Sequence, residues 1–284
     1  LDSTNVCQPI LTGITTIGLD HVALLGDSLE AIAEQKAGII KQGVPLVTGN
    51  IVPEALAVID RMADEKKAPR LAYEKDFQIY HLASVATGEV FTYSSSVRQG
   101  QFQTSLIGLH QVENAGMAIA LLDSYCQETG REFPENNVLV QAIEATRWPG
   151  RLEVVCREPL MILDGAHNPH AIKALVETLQ ERFEDYHKEI LFTCIKTKAL
   201  DQMLDMLENL PDSEIILTHF EDSRATDETV LQEAAASRNL NYKAWQEFLD
   251  QTLNVDEEKK TVRIVTGSLY FLSQVRAYLM ERKN

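Results

Sequence analysis

The chain has 284 residues, 45% of them hydrophobic, which allows one large domain or two of moderate size. No apolar run approaches the length of a membrane span, and residues 1–5 carry neither the basic start nor the apolar core of a signal peptide. A net charge of −16 excludes general nucleic-acid binding, which works by neutralising phosphates, yet leaves room for a local basic pocket.

In chain order, Ile14-Thr15-Thr16-Ile17 between Gly13 and Gly18 reads as a buried strand. Ser28 then caps a helix that runs to about Ala37, with Leu29, Ile32 and Ala33 on one face. A strand over 44–48 and an amphipathic helix over 53–66 follow. Residues 70–106 are rich in short β patterns, with Gly88 and Gly100 as turns. Helices are expected over 110–128 and 138–145. Pro149-Gly150 punctuates the chain, and a domain boundary is expected near residue 147, giving domains 1–146 and 147–284. Beyond it, strands over 152–156, 160–164, 189–195, 214–219 and 261–266 alternate with helices over 169–183, 199–210, 227–237 and 268–281. That alternation predicts an α/β fold with a mostly parallel sheet and helices on both faces. The charge run at 256–260 reads as a solvated loop. Cys7, Cys126, Cys156 and Cys194 share no C-x-x-C spacing and read as buried, reduced thiols, as in a cytoplasmic protein.

Two motifs carry the chemistry. The first is Trp148-Pro149-Gly150-Arg151-Leu152-Glu153. The second, Asp164-Gly165-Ala166-His167-Asn168-Pro169-His170, lies where an apolar strand runs into a helix. Ligands bind at the carboxyl ends of strands in open α/β sheets, and a helix N-terminus suits phosphate. An Asp there can accept from ribose hydroxyls, a His can contact phosphate or substrate, and Arg151 supplies a planar cation suited to phosphate. The plainer reading is that Asp164 and Asn168 only cap a helix that has Pro169 in its first turn. Upstream, His21 in Gly18-Leu19-Asp20-His21 sits at a strand end, and Lys36 lies fifteen residues on, on the following helix. Alone, they read as a loop histidine and a surface lysine.

Together these segments resemble the ATP-dependent Mur ligase superfamily, and within it the folate branch of folylpolyglutamate and dihydrofolate synthases. The residues that carry the likeness are Gly18-Leu19-Asp20-His21, Glu34-Gln35-Lys36-Ala37-Gly38-Ile39, the two motifs above, and Leu1-Asp2-Ser3-Thr4-Asn5, which is similar to the tail of a G-G-R-L-D-[AS]-T-N segment. The resemblance implies an incomplete P-loop-type central domain followed by a Rossmann-like C-terminal α/β domain. It implies that Lys36 is carbamylated and, with His21, binds Mg²⁺, since a carbamate is an anionic oxygen ligand suited to that hard cation. It implies that Asn114 contacts adenine, Arg151 the phosphates of ATP and Asp164 the ribose. His167 would lie near phosphate and the incoming amino acid, and Ser268 in Thr266-Gly267-Ser268 would meet a substrate carboxylate or else simply cap a helix. The implied reaction adds L-glutamate to the γ-carboxylate of a folate through an acyl phosphate, in a cytoplasmic enzyme of a commonly monomeric family, with no nucleic-acid or membrane partner.

One part of the family pattern is missing. No G-x-x-x-x-G-K-[ST] loop occurs in these residues. Residues 1–146 are therefore expected to form a partial domain with exposed sheet edges, and the chain alone is expected not to turn over ATP. The first residue is Leu, so a fragment of a longer enzyme is the first expectation. The alternative is a non-catalytic nucleotide-binding module. A peptidoglycan-precursor ligase would show a D-Y-A-H-type turn where this chain has Asp164-Gly165-Ala166-His167, and a dinucleotide-binding protein would show G-x-G-x-x-G after a strand.

Overall fold

The computed structural model describes residues 3–18, 28–85, 87–196, 199–252 and 260–282. The chain divides into two compact units, Leu1–Arg147 and Trp148–Asn284.

The first unit opens with a 3₁₀ turn, Ser3–Val6, and a three-stranded parallel sheet in the order β1 (Thr12–Ile14), β2 (Leu46–Thr48), β3 (Arg70–Ala72). Helices α1 (Leu29–Ala37) and α2 (Pro53–Glu65) connect these strands. Ser28 caps α1, its Oγ accepting from the Ala31 N–H at 3.2 Å, which satisfies an otherwise orphaned donor. On α2, Ala55, Val58, Ile59 and Ala63 recur at helical spacing and are buried with Ile32, Ala33 and Ala37 of α1 in one apolar cluster. An antiparallel sheet follows: β4 (Phe77–Val85), β5 (Gly88–Ser95) and β6 (Gln99–Thr104). It packs against α3 (Leu109–Thr129) and α4 (Asn136–Ala145) through a core that includes Phe77, Ile79, Phe91, Phe102, Val112, Met117 and Leu139.

The second unit holds a six-stranded sheet. Its strands are β7 (Glu153–Arg157), β8 (Leu160–Asp164), β9 (His187–Phe192), β10 (Ser213–Leu217), β11 (Asn241–Tyr242) and β12 (Thr261–Thr266), in the order β11-β10-β9-β12-β8-β7. All neighbours are parallel except the edge pair β7–β8. The helices are α5 (Pro169–Arg182), α6 (Leu200–Glu208), α7 (Glu228–Arg238), α8 (Trp245–Thr252) and α9 (Leu269–Glu281). Every residue of β12 is buried, as expected of a central parallel strand covered on both faces.

Some sequence expectations fail for local reasons. The first strand is Thr12–Ile14, not 14–17. The Gly49 N–H takes the Ile14 carbonyl at 2.9 Å, and the Thr15 backbone then crosses so close to Gly49 that a Cβ there would lie 2.3 Å from the Thr15 oxygen. The chain has therefore left the sheet at Thr15. Gly100 is not a turn but pairs with Tyr93 inside β6. The turn lies at 96–98, where Ser95 Oγ accepts the Val97 and Arg98 N–H groups. β11 has two residues and no readable period. α8 is a helix that the expected elements do not include, although Trp245, Phe248, Leu249 and Thr252 show the helical spacing that buries them. Cys126 and Cys194 are buried, and burial pushes the Cys194 thiol pKa up, but Cys156 is only half-buried on the edge strand β7 and Cys7 is exposed just after the 3₁₀ turn. Residues 256–259 of the charge run lie outside the described residues; Lys260 is exposed, its Nζ 4.1 Å from the Tyr186 ring centre. No helix among the described residues is long and apolar enough to cross a membrane.

Candidate functional site

The two motifs of the second unit meet at the carboxyl end of β8. Asp164, the last residue of that strand, is 8% exposed. Its Oδ2 accepts the Leu152 N–H at 3.0 Å and its Oδ1 the Ala166 N–H at 2.9 Å. The Gly165 N–H donates to the Gly150 carbonyl at 2.7 Å. The turn that carries Arg151 is thus bonded directly to the turn that carries His167. Gly165 allows this close approach: a Cβ there would lie 2.5 Å from Leu269 Cδ2 and 2.7 Å from a guanidinium nitrogen of Arg151.

His167 Nδ1 lies 2.8 Å from the Gly165 carbonyl, an oxygen that only accepts. Nδ1 therefore carries the proton, and in the neutral ring Nε2 holds the lone pair. Asn168 caps α5, its Oδ1 accepting the Ala171 N–H at 2.8 Å, and Pro169 takes the first helical position. The plain capping reading is right for Asn168. Asp164 bonds backbone N–H groups of both motif turns instead. An Asp164→Asn change would set a donor against one of those two buried N–H groups. We expect it to lower the stability of the second unit by about 2 kcal/mol, read as the urea midpoint of tryptophan fluorescence. An unchanged midpoint would remove this account of Asp164.

β12 pairs with β8, Thr266 opposite Asp164, and Thr266 Oγ1 donates to the Ala166 carbonyl at 3.2 Å. The next turn is therefore tied to the same place. Ser268 is the N-cap of α9, 2% exposed, yet its Oγ makes no capping bond. Among the described residues, Ser268 Oγ, Thr193 Oγ1 and Thr218 Oγ1 are buried without a hydrogen-bond partner, and they follow the three adjacent strands β12, β9 and β10. Buried hydroxyls left unpaired are costly, and three at the carboxyl ends of neighbouring strands mark a polar rim where a ligand end is expected. Beside this rim, Arg224 stacks 3.3 Å from the Tyr270 ring centre, and its hydrogen bonds hold the Asp222 carboxyl down to about 2.

In the first unit Lys36 is exposed in the last turn of α1. His21 lies outside the described residues. Asn114 is exposed on α3, its Nδ2 donating to Gln111 Oε1 at 3.2 Å. The start of α3 is fixed by the fully buried Glu89 of β5, whose Oε1 accepts the Gly108 N–H at 2.9 Å. Glu89 Oε2 accepts from Ser84 Oγ at 2.6 Å and lies 3.1 Å from His81 Nε2.

Comparison with known proteins gives this arrangement its family. The Mur ligase middle domain matches residues 2–122, and the glutamate ligase domain of Mur ligases matches residues 150–269.

The chain belongs to the Mur ligase family.

It is 36% identical to the dihydrofolate synthase/folylpolyglutamate synthase of Bacillus subtilis over 98% of this chain and 64% of that protein. It is 33% identical to the folylpolyglutamate synthase of Lacticaseibacillus casei over 100% of this chain and 65% of that protein. An FPGS–AMPPCP–folate complex matches with a TM-score of 0.80 at 32% identity, over 98% of this chain and 63% of that one. Mycobacterium tuberculosis folylpolyglutamate synthase, in a structure complexed with ADP and AMPPCP, matches at 0.85 and 26%, over 98% of this chain and 65% of that one. The chain thus spans just under two thirds of the length of these relatives.

For this Mur ligase chain, Arg151, Asp164 and His167 share one corner of the second unit, and Ser268 follows the strand paired with β8. Lys36 and Asn114 belong to the first unit. Glu89 was missed because nineteen residues separate it from the helix end it caps. Thr193 and Thr218 were missed because a threonine after a strand looks like any other polar residue. One further group among the described residues is capable of holding a metal: His187, Glu189 and Glu214, at the amino ends of β9 and β10. It is already served by a cation, since Arg263 Nε lies 2.8 Å from Glu189 Oε2.

Proposed function

We propose that this chain is part of an ATP-dependent, ADP-forming ligase that adds L-glutamate to the γ-carboxylate of a folate, as a cytoplasmic monomer. Residues 1–146 belong to its ATPase domain and 147–284 to its glutamate-ligase domain. The observation that carries the reading is the likeness to an FPGS–AMPPCP–folate complex across 98% of the chain. In this reading Asn114 contacts adenine, Arg151 the phosphates, Asp164 the ribose and Ser268 a carboxylate of the substrate.

The reaction proceeds in two displacements. A γ-carboxylate oxygen of the folate attacks the γ-phosphorus of ATP, and ADP leaves. The amine of glutamate then attacks the acyl phosphate carbon, an amide forms and phosphate leaves. Such transfers are driven by positioning and charge neutralisation. Arg151 supplies a fixed cation. His167, with its proton held on Nδ1, is the group assigned to the phosphate and the incoming amine. Asp164 binds two amides and is the carboxylate assigned to the ribose hydroxyls.

The exposed amine of Lys36 is open to CO₂, and as a carbamate it would offer Mg²⁺ an oxygen, with His21 as a second ligand. Bound there, Mg²⁺ would neutralise charge between carboxylate and phosphate. In ¹³C-bicarbonate buffer a carbamate carbon signal is expected that vanishes in Lys36→Arg. A spectrum identical in the two proteins would remove Lys36 from the metal site.

No G-x-x-x-x-G-K-[ST] loop is present to cradle the β- and γ-phosphates, so the 284 residues by themselves are expected not to form ADP. The test is incorporation of labelled glutamate into tetrahydrofolate, with ATP. We expect none from this chain alone, and turnover once it is joined to an upstream segment carrying such a loop. Incorporation by the chain alone would overturn the first statement, and a joined protein that binds ATP but never forms product would overturn the ligase reading.

A further inference from the structure

The last residue of the Trp148–Glu153 motif has no part in the reaction above, yet the geometry gives it one. Arg151 sits between two residues in left-handed backbone conformations, Gly150 at φ +71° and Leu152 at φ +43°. For leucine that conformation costs about 1 kcal/mol and persists only where neighbours enforce it. Three contacts enforce it here. Asp164 holds the Leu152 N–H, the Gly165 N–H holds the Gly150 carbonyl, and Glu153 Oε2 accepts the Gly150 N–H at 3.0 Å. The other oxygen of Glu153 is paired with Arg276 Nη1 on α9. α9 is the helix that Ser268 begins. Both side chains are largely shielded, Glu153 at 23% and Arg276 at 34% exposure, so the pair is screened less than a surface bridge.

We propose that Glu153, braced by Arg276, is the positioning residue for Arg151. It bonds the amide just before Arg151 while Arg276 fixes its carboxylate, so the guanidinium is held over Gly165. Through this pair α9, the helix that Ser268 begins, is tied to the Arg151 turn by an electrostatic contact. The inference rests on the reading of Arg151 as a phosphate contact.

The test uses Glu153→Ala and Glu153→Gln in the 284-residue chain. Glutamine keeps an acceptor for the Gly150 N–H, and alanine does not. Amide exchange at Gly150 and Leu152, the tryptophan unfolding midpoint, and an ADP titration followed by NMR are measured for each. Alanine is expected to speed exchange at both amides and to weaken ADP about tenfold, and glutamine, which keeps the Gly150 acceptor but loses the charge facing Arg276, to weaken it about threefold. Alanine without effect on exchange or ADP would overturn the proposal. So would equal losses in both variants that merely follow the unfolding midpoint. ADP binding that Arg151→Ala leaves unchanged, with exchange at Gly150 and Leu152 responding to Glu153→Ala as expected, would sink the phosphate reading of Arg151 and leave the hold of Glu153 on the turn standing.

Discussion

Gly267→Ala is expected to abolish cooperative folding of the second unit, or to destabilise it by more than about 4 kcal/mol. Gly267 follows β12 with φ +110°, a region closed to side-chain-bearing residues. A Cβ there would lie 1.6 Å from the Thr193 carbonyl oxygen and 2.7 Å from its carbon. These are backbone atoms at the end of β9, and the Thr193 N–H is itself bonded to the Thr266 carbonyl at 3.3 Å. Neither strand can move without breaking the central pair of the sheet. The same shift would displace Ser268 and the start of α9. The chain has two tryptophans, Trp148 and Trp245, and both lie in the second unit. Tryptophan fluorescence in urea therefore reports this unit by itself. A variant with the wild-type midpoint would show that the turn has room the structure denies it.

Asp123→Ala should cost the first unit about 3–5 kcal/mol. Arg98 and Asp123 are 7% and 3% exposed, and Arg98 donates to the carboxylate from Nε at 2.9 and 3.0 Å and from Nη2 at 2.7 Å. Its Nη1 reaches Asn136 Oδ1 at 2.6 Å and the Pro134 carbonyl at 3.1 Å. One guanidinium thus joins the β5–β6 turn to α3 and to the start of α4. Removing the carboxylate leaves a buried cation without its counter-charge, and that desolvation cost is what the variant exposes. Replacing both residues, Arg98→Met with Asp123→Leu, should cost much less, because no charge remains to be buried. Circular dichroism in urea reads the result, since the first unit has no tryptophan. Equal losses in the single and double variants would mean that packing, not charge, holds this junction.

Much of the fold was legible in the sequence. Ser28 caps the helix it was expected to cap, and Asn168 caps the helix that the plainer reading gave it, because the capping bond is local and spans three residues. β8 and β12 coincide with their expected ranges, as apolar runs buried on both faces. The motif around Asp164 was readable as a strand-to-helix turn for the same reason. Strand ends were less legible where a distant contact sets them, as where Gly49 ends β1.

Composition, period and local capping, all short-range properties of the chain, determined the two-part α/β organisation and the residues worth watching. Tertiary structure alone decided what those residues do to one another. Asp164 binds amides in both motif turns rather than capping α5, because the pairing of strands brings Leu152 to it. Glu89 caps α3 and Glu153 meets Arg276 across separations of 19 and 123 residues. A carboxylate's partner is chosen by where the sheet places it, and that placement is written in the pattern of strand pairing rather than in any one segment of sequence.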